Sequence, residues 1–125
     1  MKSSKPDGRK RLGTLGEDAA AAYLQEQQYL VVDRNWRCRS GEIDLVADKD
    51  GLLVFVEVRS RRNTGRFGTP RESVNAAKQL QVRQTVQYYL TVKGMHERQV
   101  RFDVIGVHFS KEGLFEGIDH VQNAF

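Results

Sequence analysis

A chain of 125 residues can build one complete hydrophobic core and is too short for two comfortable domains. Its 39% hydrophobic and 29% charged residues are ordinary for a globular protein and exclude a largely disordered chain. The 20 Lys and Arg outnumber the 16 Asp and Glu, and the pI of about 9.4 is the electrostatic footprint of a polyanion binder, although general solubility accounts for it too.

The single cysteine, Cys38, rules out an intramolecular disulfide and a cysteine-based zinc cluster, and His96, His108 and His120 show no metal-ligand spacing. A reducing compartment, and hence a cytoplasmic location, is expected. The basic N-terminus (Lys2, Lys5, Arg9, Lys10, Arg11) lacks the apolar stretch of a signal peptide. The longest apolar run, Leu52 to Val56, falls far short of the ~20 residues a membrane helix requires, so no membrane partner is expected.

Residues 1–12 are polar and basic, carry Pro6 and Gly8, and read as a flexible arm ahead of a single domain over 13–125. Thr14-Leu15-Gly16-Glu17 opens a helix that runs through the alanines to about Gln27, with Thr14 and Glu17 fitting a capping box. Tyr29 to Val32 reads as a first strand, leading into a basic segment with Arg34, Trp36, Arg37 and Arg39. Glu42 to Ala47 and Leu52 to Arg59 are two more strands, joined by Asp48-Lys49-Asp50-Gly51, whose Asp-Gly supplies the positive φ of a tight hairpin.

Ser60 to Gly68 is a polar loop with Arg61, Arg62 and Arg66. Thr69-Pro70-Arg71-Glu72 carries the start signals of a second helix, which extends to about Thr91 and stops before Gly94. Val100 to Phe109 is a strand of central character; Leu114 to Gly117 adds an edge strand and Ile118 to Phe125 a helical turn or docked tail. The order is αβββαβ(β), an α/β fold.

Residues two apart on a strand share a face. Glu42, Asp44 and Val46 therefore point one way and Ile43, Leu45 and Ala47 the other, while Glu57 and Arg59 share a face with Leu53 and Phe55. Leu52, Val54, Val56 and Val58 line the opposite, aliphatic face. A turn pairing Asp48 with Gly51 places Glu42 opposite Glu57 and Asp44 diagonal to it, close enough for two carboxylates to share a cation. Facing carboxylates on a sheet repel and lose hydration, and Arg59 offsets only one charge. A divalent cation would offset the rest, and an all-oxygen site suits Mg²⁺ or Mn²⁺. The competing reading is a solvated ion-pair ladder of Asp44, Glu57 and Arg59.

Asp44, twelve intervening residues and Glu57-Val58-Arg59 resemble the PD-(D/E)xK nuclease signature. Gly16-Glu17, Gly41-Glu-Ile-Asp-Leu-Val46, Phe55-Val-Glu-Val-Arg59 and Arg101-Phe-Asp-Val104 look like the YraN family, bacterial proteins similar in fold to Holliday-junction resolvases and restriction endonucleases. The resemblance covers roughly residues 12–123. It implies a restriction-endonuclease-like core, a mixed central sheet flanked by helices, and Mg²⁺- or Mn²⁺-dependent hydrolysis of DNA phosphodiesters, branched or recombination and repair intermediates among them. It further implies metal binding by Asp44, Glu57 and the Val58 carbonyl, with Glu17 contributed from the first helix. That role competes with Glu17 as a helix cap. Arg59 stands where the superfamily normally has lysine; arginine stays protonated, so it can orient water or clamp a phosphate but cannot act as a base.

Glu42 is a further member by register, and Lys78 on the second helix either approaches the site or is an ordinary solvated lysine. Arg101 and Asp103 read as a pair. Trp36 among Arg34, Arg37 and Arg39 either stacks on a base or packs at the core rim. Arg61, Arg62 and Arg66 lie just past the site, where contacts to a phosphate backbone are plausible. Three functions follow: a metal-dependent nuclease, a nuclease-fold module that binds nucleic acid without cutting, and a basic surface for a protein partner. Resolvase-like folds often pair, which leaves a homodimer open.

Overall fold

The computed structural model describes residues 8–62 and 75–125, with side chains from residue 11 onward. The element order is α1 (Gly8–Glu26), β1 (Leu30–Cys38), β2 (Gly41–Lys49), β3 (Leu52–Arg62), α2 (Ala76–Lys93), β4 (Val100–Phe109) and β5 (Phe115–Val121). The five strands form one mixed sheet in the order β1-β2-β3-β4-β5, antiparallel except for the parallel β3–β4 pair. A parallel pair needs a crossover, and α2 supplies it.

Each helix covers one face. On the α1 side, Ala20, Ala21, Leu24 and Tyr29 pack on Leu45, Ala47, Val54, Val56, Ile105, Val107 and Phe109. On the α2 side, Val82, Val86, Tyr89 and Leu90 pack on Val46, Leu53, Phe55 and Phe102. Leu24, Leu45, Val54 and Ile105 are fully buried, each contributing about 1.5–3 kcal/mol by leaving water. The aliphatic face expected for β3 is therefore the α1 face.

Several boundaries differ from the sequence-based expectations. α1 begins at Gly8, so residues 8–12 of the expected arm are helical and Thr14 lies inside the helix. The capping box does not form. Thr69, Pro70 and Glu72 lie outside the described residues; α2 begins at Ala76 with Asn75 as N-cap, its side chain accepting the Lys78 N–H at 2.9 Å. Gly94 ends that helix in the left-handed conformation. β1 absorbs the basic segment as far as Cys38, and the expected C-terminal helical turn is strand as far as Val121. Ala124 docks by donating its N–H to the Phe102 carbonyl, and the Phe125 ring stacks on Phe102.

The hairpin register also shifts. Asp50 (φ 51°) and Gly51 (φ 89°) are the two central residues of the turn, and Lys49 rather than Asp48 faces across it, to Leu52. The β2–β3 ladder then runs only as far as Leu45↔Val56. Beyond that point β2 stays with β1 through Gly41↔Cys38, and β3 stays with β4 through Arg62↔Phe109. The sheet forks between β2 and β3.

Candidate functional site

The first residue past the fork on each strand is acidic. Continued one step past Leu45↔Val56, the register would bring Asp44 opposite Glu57, the place expected for Glu42, and the two carboxyl groups are electrostatic neighbours. Glu42 instead faces β1, where its carboxylate accepts from Arg37 Nε at 3.1 Å. The next ladder step would pair Val58 with Ile43. The Val58 N–H goes instead to Asp44 Oδ2 at 2.8 Å. Ile43 packs with the α2 cluster although Leu45 packs with the α1 cluster, so strict alternation breaks at Asp44. This slip turns a ladder residue into one whose side chain caps the end of the ladder.

Burial, and then the neighbouring Glu57 carboxylate, push the Asp44 carboxyl up to about 8 against the pull of the Val58 N–H. Glu17 and Glu42 add to the rise. Glu57 is 9% exposed, with Arg59 Nη2 at 3.1 Å and Lys78 Nζ at 3.6 Å from its Oε2. The α2 lysine is thus brought to the site.

Glu17 reaches the acidic group from α1. Its carboxyl is raised by burial, while a hydrogen bond from Asn35 opposes the rise. Asn35 holds a positive φ of 52°, a conformation that asparagine tolerates better than most residues. The close approach of α1 rests on Gly16, where a Cβ would lie 1.7 Å from Ser60 Oγ. Gly41 does the same for α2: a Cβ there would meet Gln81 Nε2 at 3.0 Å and Thr85 Oγ1 at 3.2 Å.

Donor type decides what this group could hold. The carboxyl groups of half-buried Asp44 and buried Glu57 crowd one another. In a strand a residue's N–H and C=O point to the same side, so the Val58 carbonyl also faces the fork. All-oxygen donors fit a hard divalent cation. Among the described residues no three His, Cys, Asp or Glu side chains converge into a ready-made cage.

The other expected residues are placed as follows. Trp36 packs edge-on against Tyr89 with ring centroids 5.1 Å apart, a rim-packing role rather than an open stacking platform. Arg37 is engaged by Glu42, Arg39 is exposed, and Arg61 and Arg62 end β3 beyond Arg59. Arg66 lies outside the described residues. Arg101 and Asp103 do pair, through two 2.8 Å bonds, inside a larger network: His120 Nε2 meets Asp103 Oδ2 at 2.7 Å, Tyr23 OH meets His120 Nδ1 at 2.9 Å, and Arg101 donates to Tyr29 OH. Sequence reasoning missed His120 and Asn35. The signal for the network was Asp103, the one carboxylate in β4, set among Phe102, Val104, Ile105 and Val107.

The fold and site define a mixed α/β protein with an acidic, cation-flanked cleft at a sheet fork. Residues 16–107 match the model of "Uncharacterised protein family UPF0102". A UPF0102 protein of Desulforamulus reducens is 49% identical over 118 residues, covering 93% of this chain and 96% of the relative. Those of Moorella thermoacetica and Geobacter sulfurreducens are 43% and 46% identical, over 94% and 93% of this chain and 97% and 89% of the relatives. The chain belongs to the UPF0102 family, the family that its motifs resemble under the name YraN. Among the described residues no helix is long and apolar enough to cross a membrane.

Proposed function

We propose that the chain is a cytoplasmic, Mg²⁺- or Mn²⁺-dependent phosphodiesterase acting on DNA, branched intermediates included, with a restriction-endonuclease-like core. The observation that carries this reading is the pair of half-buried Asp44 and buried Glu57, the first residues past the fork on their strands, with Asp44 pushed up to about 8 by burial and its neighbour. A divalent cation held by Asp44, Glu57 and the Val58 carbonyl would polarise the phosphate and activate the attacking water. Glu17 orients water or completes the donor set from α1. Arg59 stabilises the charge that develops on the phosphate. Arg61 and Arg62 hold the backbone beyond the scissile bond. Purified protein with Mn²⁺ should cut at least one of linear, nicked or branched DNA; failure on all three overturns the enzyme reading.

Arg59 supports a second reading, a nuclease-fold module that binds nucleic acid without cutting it, because its guanidinium is paired to Glu57 where a lysine would assist the water. Glu57→Ala separates the two. Cleavage vanishes under the first; under the second there is none to lose, and DNA affinity holds or rises as a negative charge leaves. DNA affinity that barely changes between low and high salt would favour a protein partner over both.

A further inference from the structure

One carboxylate oxygen, Glu57 Oε2, serves two cations, Arg59 Nη2 at 3.1 Å and Lys78 Nζ at 3.6 Å. They arrive by different routes. Arg59 follows on the same strand, whereas Lys78 stands in the first turn of α2, three residues after the N-cap Asn75. That is a poor place for an ammonium, because the helix N-terminus carries partial positive charge and α2 has no acidic residue in its first turn. The Glu57 carboxylate is the counter-charge that holds Lys78 there. The two cations are similarly exposed, 33% for Arg59 and 31% for Lys78, but Lys78 makes the longer contact.

We propose that Lys78 is a transferable counter-cation: it neutralises Glu57 before a divalent cation arrives, then turns to the substrate phosphodiester once Glu57 is engaged. The inference rests on the reading that Glu57 holds a divalent cation, and it assigns Lys78 as a substrate-binding residue that couples the two ligands. A divalent cation would add a third positive centre beside a carboxylate that Arg59 and Lys78 already share, and the mutual repulsion falls on the more weakly held partner. When Glu57 is engaged, Lys78 loses its partner beside a helix N-terminus, where the nearest favourable partner is an anion. A phosphate entering the cleft provides it. Cation and phosphodiester then bind with positive coupling, and the coupling runs through Lys78.

Calorimetric Mn²⁺ titration of the wild type, Lys78→Met and Lys78→Arg, without DNA, is the first half of the test. Lys78→Met removes the competing charge from a partly exposed pair and should bind Mn²⁺ about two- to fivefold more tightly. Lys78→Arg, which keeps the charge and controls for folding, should match the wild type. The second half measures affinity for a phosphorothioate duplex with and without Mn²⁺. The gain that Mn²⁺ confers on the wild type should shrink towards none in Lys78→Met and persist in Lys78→Arg. Equal or weaker Mn²⁺ binding by Lys78→Met, or an undiminished gain in DNA affinity, overturns the inference while leaving the nuclease reading intact. A wild type that binds no Mn²⁺ removes both.

Discussion

The Asp44 carboxylate accepts the Val58 N–H at 2.8 Å, filling the position that a β2 backbone carbonyl would take if the ladder continued past Leu45 and Val56. A side chain thereby ends the β2–β3 pairing and is held beside Glu57 at the same time. The fork and the acidic cleft have one cause.

That arrangement makes stability depend on pH through Asp44. An unfolded aspartate titrates near ~3.9, and the folded one is pushed up to about 8 by burial and by Glu57. The native state holds the proton more tightly, so this contribution is complete below about pH 4, declines as pH rises and is lost above about pH 8. Asp44→Asn can still accept the Val58 N–H through its amide oxygen and has nothing to titrate. Urea denaturation should show it more stable than the wild type at about pH 9, by at least about 1 kcal/mol, with the difference closing towards about pH 4. Parallel stability profiles would refute the assignment. Mn²⁺ at the higher pH should raise the wild-type midpoint and leave that of the variant nearly unmoved.

Glu17 offers a cleaner separation of fold from site. It caps no helix, since α1 starts at Gly8, and its side chain hydrogen-bonds with Asn35 on β1. Glu17→Gln keeps an oxygen for Asn35 and removes one of the charges that raise Asp44. Loss of a real N-cap would cost about 1 kcal/mol; here the change in unfolding free energy should stay within about 0.5 kcal/mol. Mn²⁺ affinity should fall about tenfold, in the range seen when supporting groups of a metal site are removed. A destabilised variant with unchanged Mn²⁺ binding would return Glu17 to a structural role.

The strands that carry this site were legible because their patterns are local. Alternation marked Leu52 to Val58, and Asp50-Gly51 marked the turn. The register was not legible, because Asp48-Lys49-Asp50-Gly51 offers two places to close the hairpin. Closing it at Lys49 rather than Asp48 moves each partner by two positions, which exchanges Glu42 for Asp44 as the neighbour of Glu57. The Thr14 capping signal failed because nothing before it breaks the helix. Lys78 could not be placed from sequence, since its approach depends on how α2 returns across the sheet. Nor could the His120–Asp103 contact, made between residues 17 positions apart on adjacent strands.

Asp103 is fully buried, yet its carboxyl is held below the usual carboxylate range. Burial alone would raise it; the bonds from His120, Arg101 and the Asn123 N–H outweigh that effect. The stability it contributes is present above about pH 4 and is lost as pH falls through the lowered folded value. Asp103→Ala strands Arg101 and His120 and should cost about 3–5 kcal/mol near neutrality. Chemical denaturation should show that cost shrinking at about pH 3. Mn²⁺ affinity of the folded variant should match the wild type, because the network lies on the α1 face between β4, β5 and Tyr23. Loss of Mn²⁺ binding in the folded variant would tie the network to the site.

Gly16 sets how closely α1, and so Glu17, approaches the fork. An alanine there gains about 1 kcal/mol of helix propensity, but its Cβ would fall 1.7 Å from Ser60 Oγ and 3.0 Å from Ser60 Cβ. Overpacking of this kind costs about 1–3 kcal/mol, so Gly16→Ala should be net destabilising or, at best, neutral. Ser60→Ala removes the closer atom and should recover most of the clash, leaving only the 3.0 Å Cβ contact to be relieved by a small shift. A double-mutant cycle of Gly16→Ala and Ser60→Ala should therefore give a favourable coupling of about 1 kcal/mol or more. Zero coupling would mean that α1 does not pack on β3 through this pair. If Gly16→Ala also weakens Mn²⁺ binding and Ser60→Ala restores it, the helix-to-strand distance at Gly16 governs how well Glu17 serves the cleft.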